Sequence, residues 1–311
     1  LDMMTMKEIF EEIQSSGGLT PSRRLRDIAQ RFPDQVAFRD KRYGVWNEIT
    51  YGEFWTQVQY VTCALNFFGV EKTDKVAIHS ENRPEWLIAD IGIQALGGIS
   101  VGLYPTNPPA EVKYLLSHSE SKILFAEDQE QVDKALEVIQ DVPNLSKIIY
   151  FEEKGLFRYE SDKLMRWDEF LKIGKEEFEK NKDFPNFCID EIKSDDVALM
   201  IYTSGTTGPP KASMLSHGNM EWTASIIPDF SFTPKISNPE YLSYLPLCHV
   251  FGRLVDEIIA INSIGTINFA ESIDTVQRDL AEIQPSIFPA VPRILERMHA
   301  GTLVRLSLIH I

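Results

Sequence analysis

Positive charge is in short supply in this chain. Its 311 residues hold 31 Lys and Arg against 46 Asp and Glu, a formal net charge of −15. A nucleic-acid partner needs a basic face, so that class is excluded, and a small anionic ligand would need a local basic exception. Cysteine is scarce too. Cys63, Cys188 and Cys248 are odd in number, far apart and without Cys-x-x-Cys spacing, which argues against a disulfide framework or a zinc site and for buried thiols in a reducing compartment. The six histidines form no His-x-x-x-His or His-Glu-x-x-His pattern, so no protein-held metal is expected. No run approaches the roughly 18 apolar residues of a spanning helix, and the acidic first residues lack a signal-peptide core. A cytoplasmic protein is expected, with peripheral membrane contact left open.

What is present is a 43% hydrophobic, 25% charged composition, ordinary for a folded globular chain. From Lys75 onward, short β-rich runs alternate with helix-length segments, which implies βαβ units and a parallel sheet. Strands are expected at 76–79, 99–103, 122–126 and 147–151. Helices are expected from Pro84 to Leu96, Pro109 to His118 and Gln129 to Gln140, the first of them buried on most sides. Residues 152–196, dense in Lys, Glu and Asp, are expected to be a solvated helical excursion. Beyond it come strands at 197–202, 212–215, 241–245 and 266–269, with helices at 251–261 and 275–283.

Between the first two of those later strands lies Tyr202-Thr203-Ser204-Gly205-Thr206-Thr207-Gly208-Pro209-Pro210-Lys211. Glycines let backbone N–H groups approach an oxyanion, hydroxyls add donors, and a lysine supplies a mobile charge for a polyphosphate. An ordinary turn would explain the glycines and prolines, but not the clustered hydroxyls closed by a lysine. A Walker A loop needs Gly-Lys-Ser/Thr in succession, and Lys211 lies instead between Pro210 and Ala212, so a P-loop kinase or GTPase is excluded.

The order Tyr202 to Lys211, followed by Met214-Leu215-Ser216-His217-Gly218-Asn219, resembles the signature of the adenylate-forming enzymes. That superfamily holds acyl-CoA synthetases, luciferases and peptide-synthetase adenylation domains. Ala212, where the family usually has glycine, is the one visible departure. Tyr244-Leu245-Pro246-Leu247-Cys248-His249-Val250-Phe251-Gly252-Arg253 is similar to the family's next motif in its long-chain acyl-CoA synthetase form. The competing reading of His249 is a core histidine satisfied by a backbone carbonyl. Tyr104-Pro105-Thr106, Glu81-Asn82-Arg83-Pro84-Glu85-Trp86, Phe269-Ala270-Glu271-Ser272 and Ile287 to Arg293 extend the likeness over roughly residues 20 to 300, mostly as pocket wall.

The resemblance implies an α/β, doubly wound fold with mostly parallel sheets and flanking helices, residues 1–300 being the N-terminal part of an AMP-binding large domain. It implies ATP-dependent activation of a long-chain fatty acid to an acyl-adenylate and then an acyl-CoA, with ATP, Mg²⁺ and coenzyme A as cofactor or co-substrates. Thr203, Ser204, Gly205, Thr206, Thr207, Gly208 and Lys211 would hold the phosphates, and Lys211, Thr206 and His249 would serve catalysis. The magnesium ligand, ribose-binding acid, hinge and small C-terminal domain of the family are expected on residues outside this chain, leaving it inactive alone. Residues 301–311 are expected to be a non-native or disordered tail. An adenylate former for another carboxylic acid, and a noncatalytic nucleotide-binding fragment, are the two alternatives.

Overall fold

The computed structural model describes residues 20–203, 208–226 and 238–309. Helix α1 (Pro21–Arg31) starts where Pro21 suits the first turn and the Thr20 hydroxyl accepts the Arg23 N–H at 3.3 Å. Strands β1 (Val36–Arg42) and β2 (Val45–Thr50) form an antiparallel hairpin through Tyr43 and Gly44, both at positive φ. Such a two-residue turn matches the natural twist of the two strands. Helix α2 (Tyr51–Phe67) opens with a capping box between Thr50 and Glu53.

The next segments alternate strand and helix: β3 (Lys75–His79), α3 (Pro84–Ala95), β4 (Ile99–Leu103), α4 (Pro109–Ser119), β5 (Ile123–Ala126), α5 (Gln129–Val138) and β6 (Lys147–Tyr150). These agree with the sequence-based elements to within about two residues at each end. Strand β7 (Leu164–Arg166) and helices α6 (Trp167–Lys180) and α7 (Phe184–Asp190) follow. Strands β8 (Val197–Thr203) and β9 (Lys211–Ser216) then precede α8 (His217–Ile226) and β10 (Glu240–Ser243). One α-helical turn, α9 (Val250–Arg253), continues as a π-helical stretch over Leu254–Ala260, where a regular helix was expected. Strand β11 (Thr266–Phe269), α10 (Val276–Ile283) and α11 (Pro292–Ile309) complete the order. The α11 backbone runs helically through most of the expected tail.

Two sheets organise these elements. The larger has the order β7-β6-β5-β3-β4-β8-β9 and is parallel except for β9. The smaller has the order β10-β11-β1-β2, with only β2 antiparallel. Side chains alternate across β3. Val76 and Ile78 enter the core facing α3 and the small sheet, whereas Ala77 joins the core under α4 and α5. The large sheet is thus covered on both faces, and α3, with every residue buried, fills the space between the sheets. That is the doubly wound, mostly parallel architecture expected.

The charged excursion needs correction. Residues 152–196 are more than a solvated appendage, because β7 extends the large sheet beside β6 and α6 buries Trp167 and Phe170 against it. Phe125 and Phe151 meet Trp167 edge-on at 5.7 and 5.2 Å. The charges hid this. Lys175, Glu176, Glu179 and Lys180 are exposed, while the aromatic anchors sit one or two turns earlier on the opposite side.

Candidate functional site

Parallel strands leave their carboxyl ends at one edge, and in open α/β sheets ligands bind outside that edge. Here β8 and β9 reach it as an antiparallel pair with Thr203 opposite Lys211. These two residues form the neck of the phosphate-type loop. Ser204, Gly205, Thr206 and Thr207 lie outside the described residues. Gly208 adopts φ +93°, where a side chain would be strained although no atom of the described residues obstructs it. Lys211 is exposed and makes no ion pair with a described residue. Ala212 sits in regular strand opposite Tyr202 and has no positive φ, so its methyl group fits.

The neck is clasped from the side by α4. The Tyr114 hydroxyl donates to the Pro210 carbonyl at 2.9 Å, and His118 Nδ1 meets the Tyr202 hydroxyl at 2.7 Å. Tyr114 and His118 stack with ring centres 5.3 Å apart, as their one-turn spacing allows. Burial pushes the Tyr202 phenol up to about 12, so it remains a neutral hydrogen-bonding group. At the loop's exit, the Ser216 hydroxyl and the Asn219 side chain exchange hydrogen bonds with each other's backbone N–H and cap α8.

A second constellation follows β10. Residues 244–249 leave the small sheet and cross to the end of β4, where an added Cβ on Gly102 would lie 2.7 Å from Cys248 Cα. Only glycine allows that approach. Gly102 pairs with Ile201 of β8, which sets Tyr104 level with the loop neck. Tyr104, Tyr244, Pro246, His249, Phe251, Val291, Arg293 and Arg297 line a cavity of about 500 Å³ at this edge. The cavity lining joins residues from both sheets. His249 is not the core histidine of the competing reading. It is exposed, caps α9, and accepts the Phe251 N–H on Nδ1 at 3.1 Å, so a neutral ring carries its proton on Nε2.

Behind the cavity lies a buried charge network. Arg253 pairs with Asp90 at 2.9 Å, donates to the Leu247 carbonyl at 3.0 Å and to Ser100 Oγ at 3.3 Å, and stacks 4.6 Å above the Trp86 ring. Gln94 donates to both Asp90 and Glu257. Burial, and then the neighbouring Asp90 carboxylate, push the Glu257 carboxyl well above its ordinary range. Burial likewise pushes Asp256 up to about 7, against the opposing hydrogen bond from Ser243. The π-helical stretch therefore places two adjacent carboxyl groups inside the protein while the nearby guanidinium of Arg253 is paired with Asp90 and lies 3.8 Å from Glu257, and holding protons relieves the excess charge.

A family model described as AMP-binding enzyme matches residues 25–308. The chain belongs to the AMP-binding enzyme family. It is 30% identical over 297 residues to a long-chain-fatty-acid–CoA ligase, ACSBG2, of Xenopus laevis, covering 92% of this chain and 39% of that protein. Long chain acyl-CoA synthetase 4 of Arabidopsis thaliana is 32% identical over 280 residues, covering 85% of this chain and 39% of that one. The chain thus spans about two fifths of the length of these relatives. The solved coronafacic acid ligase of Pectobacterium brasiliense superposes with a TM-score of 0.75 at 18% identity, over 91% of this chain and 52% of that one, a likeness of fold.

In this AMP-binding protein the structure brings Thr203 and Lys211 together and sets His249 on the wall of the cavity at the same edge. Gly208 lies near the loop's exit. The sequence-based reading missed Tyr114 and His118, whose spacing marks a helix face but not what that face touches. It also missed Asp256 and Glu257, which a pattern of surface charge would have explained equally well. Among the described residues no three His, Cys, Asp or Glu side chains group to hold a metal. Among the described residues no helix is long and apolar enough to cross a membrane.

Proposed function

We propose that this chain carries the phosphate-gripping and acyl-facing portion of an enzyme that activates a long-chain fatty acid as its coenzyme A thioester. One observation carries the reading: the Thr203–Lys211 neck and the His249-lined cavity open at the same sheet edge. The names of the relatives support the acid, and the apolar residues lining the cavity suit an acyl chain. In the first step a carboxylate oxygen bonds to the α-phosphorus of ATP as the α–β anhydride bond breaks. In the second, the thiol of coenzyme A loses its proton, its sulfur bonds to the acyl carbon, and AMP leaves.

The roles of the residues follow from their chemistry. Thr203, Ser204, Thr206 and Thr207 would donate to the β- and γ-phosphates, with Gly205 and Gly208 admitting the backbone. Each charge-assisted hydrogen bond would contribute roughly 1.5–3 kcal/mol. Lys211 would offset charge on the departing pyrophosphate. The Nε2–H of His249 would donate to an oxygen of the carboxylate or of the mixed anhydride formed from it. The 311 residues alone are expected to be inactive, and the partners are small molecules.

Acid-dependent ATP–pyrophosphate exchange by the full-length protein tests this. Exchange rising with fatty acids of long chain is expected. Exchange with aryl or amino acids but no fatty acid overturns the acid assignment, and no exchange with any acid overturns the reaction.

A further inference from the structure

Between Ser243 and Val250 the chain has no helix or strand of its own, yet this segment carries His249. Its fixation comes from elsewhere. Asn82, in the turn between β3 and α3, reaches across from the large sheet and makes two hydrogen bonds to it and one to Ser243 at its start. Its Nδ2 donates to the Leu245 carbonyl at 2.7 Å and to Ser243 Oγ at 2.9 Å, and its Oδ1 accepts the Leu247 N–H at 3.0 Å. Ser243 in turn donates to buried Asp256, which anchors the contact. Arg253 holds the far side of the same residue through the Leu247 carbonyl.

We infer that Asn82 is a positioning residue that locks residues 245–247 and so sets where His249 stands in the cavity. The inference rests on the acyl-adenylate reading of that cavity. A carboxamide suits the task because one short side chain must meet a backbone N–H and a backbone carbonyl together. Aspartate has the same shape but only acceptors, and would face the Leu245 carbonyl with a second oxygen. The lock also keys the two sheets to each other, since Asn82 follows β3 of one and Leu245 follows β10 of the other. Small displacements of a reacting group cost much rate, which makes such a lock consequential.

The experiment uses ATP–pyrophosphate exchange by full-length protein, with palmitate as the acid, for N82A, N82D, H249A and the N82A/H249A double variant. N82A and N82D are expected to lower kcat roughly 100-fold while the KM for ATP stays within about threefold, because the phosphate loop hangs from β8 and not from this segment. The double variant is expected to be no slower than H249A by more than about threefold, since a residue that acts through His249 has little left to lose. Losses that multiply, or an N82A enzyme of ordinary rate, overturn the positioning role and leave the function standing. An H249A enzyme of ordinary rate overturns both the site reading and the inference.

Reactivity of the Cys248 thiol gives a readout that does not depend on turnover. The thiol is buried beneath Gly102 and is expected to react faster with a maleimide in N82D than in the parent. An unchanged rate in a folded N82D protein overturns the lock.

Discussion

The two constellations at the sheet edge are held in opposite ways. The loop neck rests on a two-stranded outpost at the edge of the large sheet, with Thr203 and Lys211 exposed and two clasping groups on α4. The His249 segment lies over a buried network of Arg253, Asp90, Glu257, Gln94 and Trp86 and is gripped by Asn82. A charged polyphosphate can be met by donors that remain solvated until it arrives, so the neck needs little support. A group that must stand at one place in an apolar cavity needs a rigid base. The contrast predicts that substitutions at the neck change rate and leave stability nearly intact, while substitutions beneath His249 change stability first.

The largest expected effect is at the base. R253A strands the Asp90 carboxylate in the interior without its cation and should lower the unfolding free energy by about 3–5 kcal/mol, read from chemical denaturation. A loss below about 1 kcal/mol would show that the network carries no such weight. At the neck, K211A in the full-length protein should slow adenylation roughly 100-fold with little change in the thioester step or in melting. Equal slowing of both steps removes its assigned role.

A pH effect of intermediate size comes from His217, between neck and core. Burial lowers its imidazole to about 4, with Asp196 opposing, so the folded ring stays neutral where the unfolded one, near 6.5, takes a proton. Its contribution to stability is complete above pH 6.5 and is lost as pH falls toward 4. The stability difference between parent and H217Q should therefore change by about 1.4 kcal/mol per pH unit across that window. A difference independent of pH overturns the neutral, buried assignment. The smallest effect expected is that of Y114F. It removes the hydrogen bond to the Pro210 carbonyl, and should raise the KM for ATP two- to fivefold, about 0.5–1 kcal/mol, without moving the midpoint of denaturation. An unchanged KM means that the clasp does not set the loop.

How much was legible in the chain depended on range. The succession from β3 to β6 was readable because each strand is a short apolar run and each helix declares itself by its opening proline or by its periodic face. The β1–β2 hairpin was not, since Val45, Asn47 and Glu48 are all exposed and leave no alternation to detect. Nor was the small sheet, whose order sets β11 beside β1 across more than 220 residues. At the site, Thr203 to Lys211 was visible because clustered hydroxyls closed by a lysine are more than an ordinary turn needs, and His249 because the motif around it resembles one of the family. Tyr114, His118 and Asn82 were not, because an ordinary helix face and an ordinary turn asparagine acquire meaning only from what they touch.

By itself the sequence determined the chemistry on offer: hydroxyls, glycines and a lysine in one short stretch, a histidine after a strand, and the family to which both belong. Local order and side-chain type are written residue by residue, and they suffice for that. Only the tertiary structure decided which of those groups share an edge, which are braced and which stand free. Those properties arise from contacts between segments 84 to 165 residues apart, where packing complementarity and the cost of burying charge select the partners.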